Sequence, residues 1–171
     1  DIDEQAVEVT KLSLMLKMLE GEWGFVKGTA VLPMLDKNIK CGNSLISGNV
    51  LELTRYFGND YYKVKPFNWE EEFKEIMNDG GFDCVIGNPP YIKYENLSDE
   101  LKRYAKENYK CATGFFDIFQ LFLEKSFTLL KKQRKMGFIF PSLFLKGINY
   151  LQSRKYFYKN SNIEIIFDYG D

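Results

Sequence analysis

The feature that most constrains the fold is an apolar segment, Phe82 to Ile86, that runs directly into Gly87-Asn88-Pro89-Pro90-Tyr91. The segment is short, rich in β-branched and aromatic residues and preceded by Gly80-Gly81, which predicts a buried strand. Proline has no N–H for a ladder and pushes the residue before it out of the α region, so the chain must leave the sheet in a rigid turn. Because ligands of open α/β sheets bind at the carboxyl ends of strands, we expect a site at this turn.

The side chains of this turn favour one kind of chemistry. Asn88 offers an amide oxygen, Pro89 a backbone carbonyl, and Tyr91 a flat aromatic face. Two acceptors beside an aromatic ring suit a planar NH2 group on a stacked ring. Acceptors that hold both amine protons stabilise the positive charge that develops as the nitrogen attacks, with no base or metal required. The alternative for the motif taken alone is a strand that ends at two prolines, with the tyrosine covering the core.

Composition limits the function classes. The chain has 171 residues, 45% of them hydrophobic and 16% aromatic, which is enough for one domain with one core. It has no apolar run of membrane-spanning length, and we expect a cytoplasmic protein with no membrane partner. A net charge of −1 argues against strong nucleic-acid binding by this segment alone. With no histidine in the chain we expect no metal site, and we expect buried free thiols at Cys41, Cys84 and Cys111.

Spacing and cap residues predict the elements of the amino-terminal part. Apolar residues at helical intervals predict a helix from Glu4 to Leu19 with Asp3 as N-cap. Residues 21–36 are predicted to form an irregular connection with room for a short hairpin. Residues 38–41 are predicted to be a short strand followed by a polar turn. Residues 47–65 show no clear period, and we interpret them as a surface insertion.

The remaining elements are predicted from the same kinds of pattern. Asn68 and Glu71 predict a capping box at the start of a helix that ends at Gly80-Gly81. Ser98 predicts the start of another helix. The order of elements indicates an α/β sheet with crossover helices. The later predictions are a helix over 115–132, a basic loop over 131–135, a strand over 136–141, a helix over 148–158 and a strand over 163–167.

Asn88-Pro89-Pro90-Tyr91 after an apolar strand resembles the catalytic motif of amino-methyltransferases that use S-adenosylmethionine, above all N6-adenine-specific DNA methyltransferases of restriction-modification systems. The segment from Pro66 to Phe73 is similar to large type IIG-like enzymes in which methylase and nuclease can share one polypeptide. Protein glutamine methyltransferases and some RNA methyltransferases share the four-residue motif and stay open as alternatives. A non-catalytic binding domain with the same fold is the alternative from another class. The resemblance spans almost the whole chain.

The resemblance implies a set of substrate contacts. Asn88, Pro89 and Tyr91 would be catalytic, holding the N6 amine of an adenine rotated out of the duplex. Pro90, Tyr91 and Lys93 would contact the substrate. Lys93 lies between two tyrosines, and an aromatic ring with a cation is a suitable floor for a single nucleotide.

The resemblance also implies the contacts to S-adenosylmethionine. An acidic residue at Asp1 would take the ribose hydroxyls of the cofactor. The family usually has an aspartate where this chain has Asn43, so the acceptor oxygen is kept while the charge is lost. A simple polar turn at Asn43 is an equally good interpretation. The implied cofactor contacts are Asp1, Ile2, Asn43, Ser44, Asn88 and Phe119, with Asp117 as a further candidate.

The implied fold is a Rossmann-like S-adenosylmethionine-dependent methyltransferase sheet that is incomplete. We find no glycine-rich Phe-x-Gly-x-Gly loop, which the family carries after its first strand, and no target-recognition domain. We therefore expect residues 1–171 to be a partial catalytic domain that is inactive alone and prone to self-association. Double-stranded DNA would be held by other regions of a bacterial or archaeal protein, to which a nuclease could be fused or bound.

Overall fold

The computed structural model describes residues 1–19 and 34–170 of the chain. The α/β class is confirmed, since the described residues combine helices with a parallel pair of strands, β1 (Phe82–Gly87) and β2 (Leu130–Phe138). Short 3-10 helices span Gly58–Val64, Tyr94–Asn96 and Ile148–Tyr150. The helices are α1 (Glu4–Leu19), α2 (Val50–Phe57), α3 (Trp69–Glu72), α4 (Lys74–Asn78), α5 (Asp99–Asn108), α6 (Ile118–Leu129), α7 (Leu143–Lys146) and α8 (Leu151–Asn160).

Strand β2 begins earlier than the sequence predicts. In the parallel pairing of the two strands, Val85 lies opposite Met136 and Phe82 lies opposite Leu130. The register of the pairing shifts directly after Phe82. The basic segment 131–135, predicted to be a loop, is part of this strand, and the helix predicted over 115–132 is confined to Ile118–Leu129. Pairing with β1 overrides the polarity of the basic segment. Of the strand predicted over 136–141, the part up to Phe138 is confirmed.

The prediction that β1 is buried is wrong. Cys84 and Ile86 lie on one face of the strand, and 81% of the surface of Ile86 is exposed. Within the described residues β1 has one strand neighbour, β2, and this face is open to solvent. The expectation of buried thiols is likewise wrong for Cys84, which is exposed, and Cys41 is half-buried, whereas Cys111 is buried.

The core lies around α6, which contributes to two clusters of buried side chains. One cluster includes Leu53 and Tyr56 of α2 together with residues of α5, and the other includes Phe144 and Phe157 from the carboxyl-terminal helices. The interpretation of residues 47–65 as a surface insertion is therefore wrong. An amphipathic helix that is too short to show a clear period still buries one face against α5.

Helix caps agree with the sequence at some positions and differ at others. Asp3 caps α1 as predicted, since its Oδ1 accepts from the Gln5 amide at 2.8 Å. Ser98 caps α5 by accepting from the Leu101 amide at 3.2 Å. The capping box predicted at Asn68 is wrong, because its side chain accepts no cap hydrogen bond.

The helix predicted after Asn68 is broken at Phe73, which leaves the helical region with a φ of −125°. This break lets the Phe73 ring stack on Trp69, with ring centroids 5.5 Å apart. Phe67 and Phe82 meet the same pair edge-on or tilted. Aromatic packing therefore overrides the local helical pattern.

Two predicted strands and one predicted helix are also corrected. Residues 38–41 are not a strand, because a turn ends at Asn38 and an irregular segment follows it, although the Asp1 amine donates to Lys40 O at 3.3 Å and the Gly42 amide to Asp1 O at 2.7 Å, as in a parallel pair. Residues 163–167 are exposed and pair with no described strand, so the apolar pattern has no ladder to join. The helix over 148–158 is a 3-10 turn followed by α8. The predicted connection over 21–36 lies outside the described residues except at 34–36.

Candidate active site

The predicted catalytic turn lies at the carboxyl end of β1. The Tyr91 hydroxyl donates to Asn88 Oδ1 at 3.1 Å, so phenol and carboxamide face each other. Half of the Tyr91 surface (51%) is exposed, and Asn88 is also exposed, while Pro89 between them is buried. The Ile139 amide donates to Gly87 O at 3.1 Å, which fixes the end of β1 against the segment that follows β2. The turn therefore exposes the Asn88 carboxamide, the Tyr91 hydroxyl and the Tyr91 ring, and hydrogen bonds hold its backbone in place.

The start of α6 supports this turn from behind. The Ile118 amide donates to Ile92 O at 2.9 Å, which ties the segment after Tyr91 to the first turn of the helix. The ring of Phe119 meets the Tyr91 ring edge-on, with centroids 6.4 Å apart and an interplanar angle of 84°. This distance lies within the range of attractive aromatic pairs. The geometry holds the Tyr91 ring upright beside Asn88.

Phe119, a predicted cofactor contact, is fully buried. Its ring stacks on Phe140 at a centroid distance of 6.1 Å and also contacts Phe144 and Tyr150. It is brought together with Tyr91 and does not line the cavity beside Asp1. The side chain thus lies beneath the candidate site.

Two of the predicted cofactor residues, Asp1 and Ser44, line one cavity of about 280 Å³. Its aromatic wall consists of Phe67, Trp69 and Phe73. The Trp69 indole donates to Ser44 O at 3.1 Å, which fixes this wall to the turn after residue 42. An apolar wall with few polar groups is typical of small-molecule sites, although this volume lies just below their usual range of about 300–1,000 Å³.

Asn43 and Ile2 are chain neighbours of residues that line this cavity, and hydrogen bonds hold both in place. The Asn43 amide donates to Lys65 O at 2.7 Å, and its Oδ1 accepts from the Leu45 amide at 3.2 Å, so its side chain closes a polar turn. The carbonyl of Ile2 accepts from Lys65 Nζ at 3.2 Å. Asp1 Oδ1 accepts from the Asp3 amide at 2.9 Å, and its carboxylate is exposed. These contacts hold the two backbone segments that border the cavity.

The residues after the turn carry aromatic rings and cations. Pro90 and Lys93 are exposed. The ammonium groups of Lys102 and Lys106 lie 4.9 and 5.2 Å from the ring centroid of Tyr94, within cation–π range. Lys106 Nζ also donates to the Tyr94 hydroxyl at 3.0 Å. These contacts place positive charge on the surface next to the turn.

Sequence reasoning missed Tyr150. Its hydroxyl donates to Asp117 Oδ2 at 2.6 Å, and it is almost fully buried. Burial, together with the hydrogen bond to the Asp117 carboxylate, raises the pKa of Tyr150. No sequence pattern signals this pair, because its members are separated by 33 positions.

Metal ligands are not gathered anywhere in residues 1–19 or 34–170, since no group of three His, Cys, Asp or Glu residues there could hold a metal ion. None of the helices in these ranges is long and apolar enough to cross a membrane. Burial raises the pKa of the Cys111 thiol to about 12. This thiol stays protonated, so it is a packing group of the core.

The sequence model of the Eco57I restriction-modification methylase family matches residues 1–171. The chain belongs to this family. The type II restriction enzyme and methyltransferase RM.Eco57I of Escherichia coli is 34% identical over 177 residues, which cover 99% of this chain and 16% of that enzyme. The putative type II restriction enzyme and methyltransferase RM.MjaORFECS2P of Methanocaldococcus jannaschii is 42% identical over 96 residues, 56% of this chain and 8% of that protein. The adenine-specific methyltransferase BrxX of Escherichia coli is 33% identical over 51 residues, 30% of this chain and 4% of that protein.

This Eco57I-family chain therefore spans a small part of the curated relatives that it matches. Its resemblance to RM.Eco57I covers nearly all of the chain and includes the turn at Asn88 and the aromatic wall of the cavity, since the alignment covers 99% of the sequence. The methylase character of the family agrees with the chemistry predicted from the turn.

Proposed function

We propose that residues 1–171 are a partial catalytic domain of a restriction-modification enzyme that transfers a methyl group from S-adenosylmethionine to the N6 amine of adenine in DNA. The observation that supports it most is the pairing of Asn88 Oδ1 with the Tyr91 hydroxyl at 3.1 Å, at the carboxyl edge of a parallel strand pair. Ligands bind at that edge in doubly wound sheets. A Rossmann-like sheet, of which β1 and β2 are two strands, belongs to the proposal.

Each residue of the turn has a part in the proposed reaction. The Asn88 amide oxygen and the Pro89 carbonyl accept the two protons of the N6 amine. These acceptors stabilise the positive charge that develops on the nitrogen in the transition state. The exposed face of Tyr91 stacks on the extruded base, and its hydroxyl orients the Asn88 carboxamide. Pro90 and the exposed ammonium of Lys93 border the same nucleotide.

The residues around the cavity beside Asp1 fit the adenosine part of the methyl donor. Bound S-adenosylmethionine supplies an electrophilic methyl group. The Asp1 carboxylate can accept from ribose hydroxyls, and the aromatic wall of Phe67, Trp69 and Phe73 provides an apolar surface for a ring. Ile2, Asn43 and Ser44 border the pocket, and Asn88 would contact both the donor and the target base. Phe119, fully buried, would act from beneath the site.

DNA as the substrate is supported by the names of the relatives. RM.Eco57I is a type II restriction enzyme and methyltransferase, and BrxX is named adenine-specific. The near-neutral charge of this chain agrees with DNA being held mainly by other regions of a longer protein, with a fused or associated nuclease. The protein would work in the cytoplasm of a bacterium or archaeon, and its methyl transfer would need no metal.

The test is methyl transfer from labelled S-adenosylmethionine by the full-length protein, onto unmethylated bacterial DNA and in parallel onto total cell protein. We expect label in DNA as N6-methyladenine, and we expect Asn88→Ala to lower the rate by about 100-fold or more because an aimed acceptor is lost. Asn96→Ala is the matched control, since Asn96 is an exposed asparagine in the 3-10 helix that follows the turn, and it should retain activity.

Other outcomes would contradict the proposal in different ways. Label in glutamine of proteins alone would identify a protein methyltransferase. Label in neither substrate would favour a binding domain with this fold. Equal activity of Asn88→Ala and Asn96→Ala on DNA would remove Asn88 from the mechanism.

A further inference from the structure

We propose that Tyr150 is a positioning residue for the methyl transfer: its hydroxyl holds Asp117 at the start of α6 and thereby sets the ring of Phe119 against Tyr91. The inference rests on the proposed function, because Tyr91 is the residue there that meets the target base. Tyr150 itself is buried and does not touch the reacting groups.

The first step is the bond between Tyr150 and Asp117. At 2.6 Å it has the short length of a hydroxyl that donates to a carboxylate, the stronger class of hydrogen bond. Asp117 is the N-cap of α6, and its amide donates to Gln120 Oε1 at 2.7 Å. Because the raised pKa of Tyr150 keeps its hydroxyl protonated, the donor persists across physiological pH. The beginning of α6 is thus held from the 3-10 turn at residues 148–150.

The second step leads from Asp117 to the catalytic turn. The two residues after Asp117 contact the turn directly: Ile118 donates its amide to Ile92 O at 2.9 Å, and Phe119 packs edge-on against Tyr91. Phe119 has no exposed surface and touches the Tyr150 ring at a centroid distance of 5.6 Å. A displacement of the helix start would therefore move the support of Tyr91.

The third step concerns what remains when the hydroxyl is removed. The side-chain Nε2 of Gln120 donates to Ser153 Oγ at 2.6 Å, and both residues are fully buried, so α6 stays attached to α8 without the Tyr150 hydroxyl. In Tyr150→Phe the ring still packs on Phe119 and Phe144. The variant should fold, with the first turn of α6 less firmly held.

A loosened first turn of α6 would change the geometry of the groups that react. Tyr91 donates to Asn88 Oδ1, so a tilt of its ring alters both the stacking face and the orientation of the carboxamide. Misplacement of a reacting group by about 1 Å can cost up to 100-fold in rate. We expect roughly a tenfold loss from the smaller displacement that removal of one hydrogen bond allows.

The experiment compares Tyr150→Phe with Tyr156→Phe in the full-length protein. Tyr156 is the matched control, because it is a half-buried tyrosine of the same cluster whose hydroxyl makes no hydrogen bond to residues 1–19 or 34–170. Single-turnover methyl transfer is measured at saturating DNA and S-adenosylmethionine, together with the fluorescence of 2-aminopurine at the target position and the DNA dissociation constant. We expect Tyr150→Phe to lower the rate about tenfold and to weaken the fluorescence change, with DNA affinity within twofold of wild type. Tyr156→Phe should match wild type.

Amide hydrogen exchange supplies a readout that does not need activity. Peptides that contain residues 117–120 and 91–94 should exchange faster in Tyr150→Phe than in wild type and Tyr156→Phe. If wild type transfers no methyl group to DNA, the proposed function fails, while faster exchange in Tyr150→Phe alone still supports the link between Tyr150 and the turn. Unchanged exchange in these peptides, or equal methylation rates for the two variants, would overturn the positioning role.

Discussion

Helix α6 and strand β1 are both apolar segments, but α6 is mostly buried, whereas one face of β1 is open to solvent. On α6, Phe119, Gln120 and Leu121 have no exposed surface, whereas Ile86 on β1 is 81% exposed. The helix meets packed elements on both sides, and the strand has one strand neighbour among the described residues, β2. The difference shows that hydrophobic sequence alone does not bury a segment, because burial needs a partner surface on each face.

The buried region also satisfies its polar groups. Glu124 on α6 accepts from the amides of Lys110 and Cys111, at 2.9 and 2.7 Å, and both amides belong to the loop that precedes the helix. Within the described residues, every buried side-chain nitrogen or oxygen has a hydrogen-bond partner. A core with its polar groups satisfied is well specified, since each unpaired group would cost about 1–3 kcal/mol. The turn at Asn88 rests on this region through the contact between Phe119 and Tyr91.

The thiols provide the largest expected contrast between the two regions. Cys84 on β1 is exposed, while burial raises the pKa of Cys111 to about 12. The raised pKa of Cys111 leaves little thiolate at pH 8 and burial keeps the reagent away, so iodoacetamide should modify the exposed Cys84 at least about a thousandfold faster than Cys111. Mass spectrometry of timed aliquots measures both rates, and denaturant should abolish the difference. Comparable rates in the native protein would contradict the burial of Cys111.

Truncation of apolar side chains should give the next largest contrast. Phe116 is fully buried in the cluster around α5 and α6, so Phe116→Ala should lower the free energy of unfolding by about 3–5 kcal/mol. Ile86→Ala on the open strand face should change it by no more than about 0.5 kcal/mol. Urea unfolding of both variants measures the difference. A cost at Ile86 close to that at Phe116 in a longer form of the protein would show that another segment covers this face.

Two asparagines with the same sequence pattern give the smallest contrast. Asn49 and Asn68 are each followed three residues later by glutamate, yet only Asn49 forms the capping box, with both hydrogen bonds at 3.0 Å. Asn49→Ala should cost about 1 kcal/mol, whereas Asn68→Ala should cost a few tenths at most. Thermal unfolding of the pair measures this. The reverse order would mean that the cap lies at Asn68.

The local part of the fold could be predicted because its causes lie within a few residues. Asp3 and Ser98 cap their helices, Gly80-Gly81 ends α4, and β1 stops at the prolines. Gly81 has a φ of +114°, and a Cβ there would lie 2.3 Å from Leu129 O, so the glycine is required by both conformation and packing. Such effects can be read from neighbouring residues.

The errors have causes that lie far away in the sequence. The segment 47–65 joins the core because Tyr56 of α2 packs edge-on against Tyr104 of α5, 48 positions later, with ring centroids 5.1 Å apart. The basic start of β2 is a strand because β1 pairs with it. The placement of Phe119 under Tyr91 depends on the hydrogen bond from Ile118 to Ile92 across the fold. None of these partners is visible in a local pattern.

The sequence by itself determined the position of the Asn88 turn at a strand end and the family to which the chain belongs. Glycine, proline and cap residues act through their own backbone conformations and nearest neighbours, so these features are encoded locally. The tertiary structure alone decided which apolar segments are buried, which of two equal cap patterns forms and which residues support Tyr91. Burial and ring contacts depend on surfaces that only folding brings together, and their energies outweigh local preference where the two conflict.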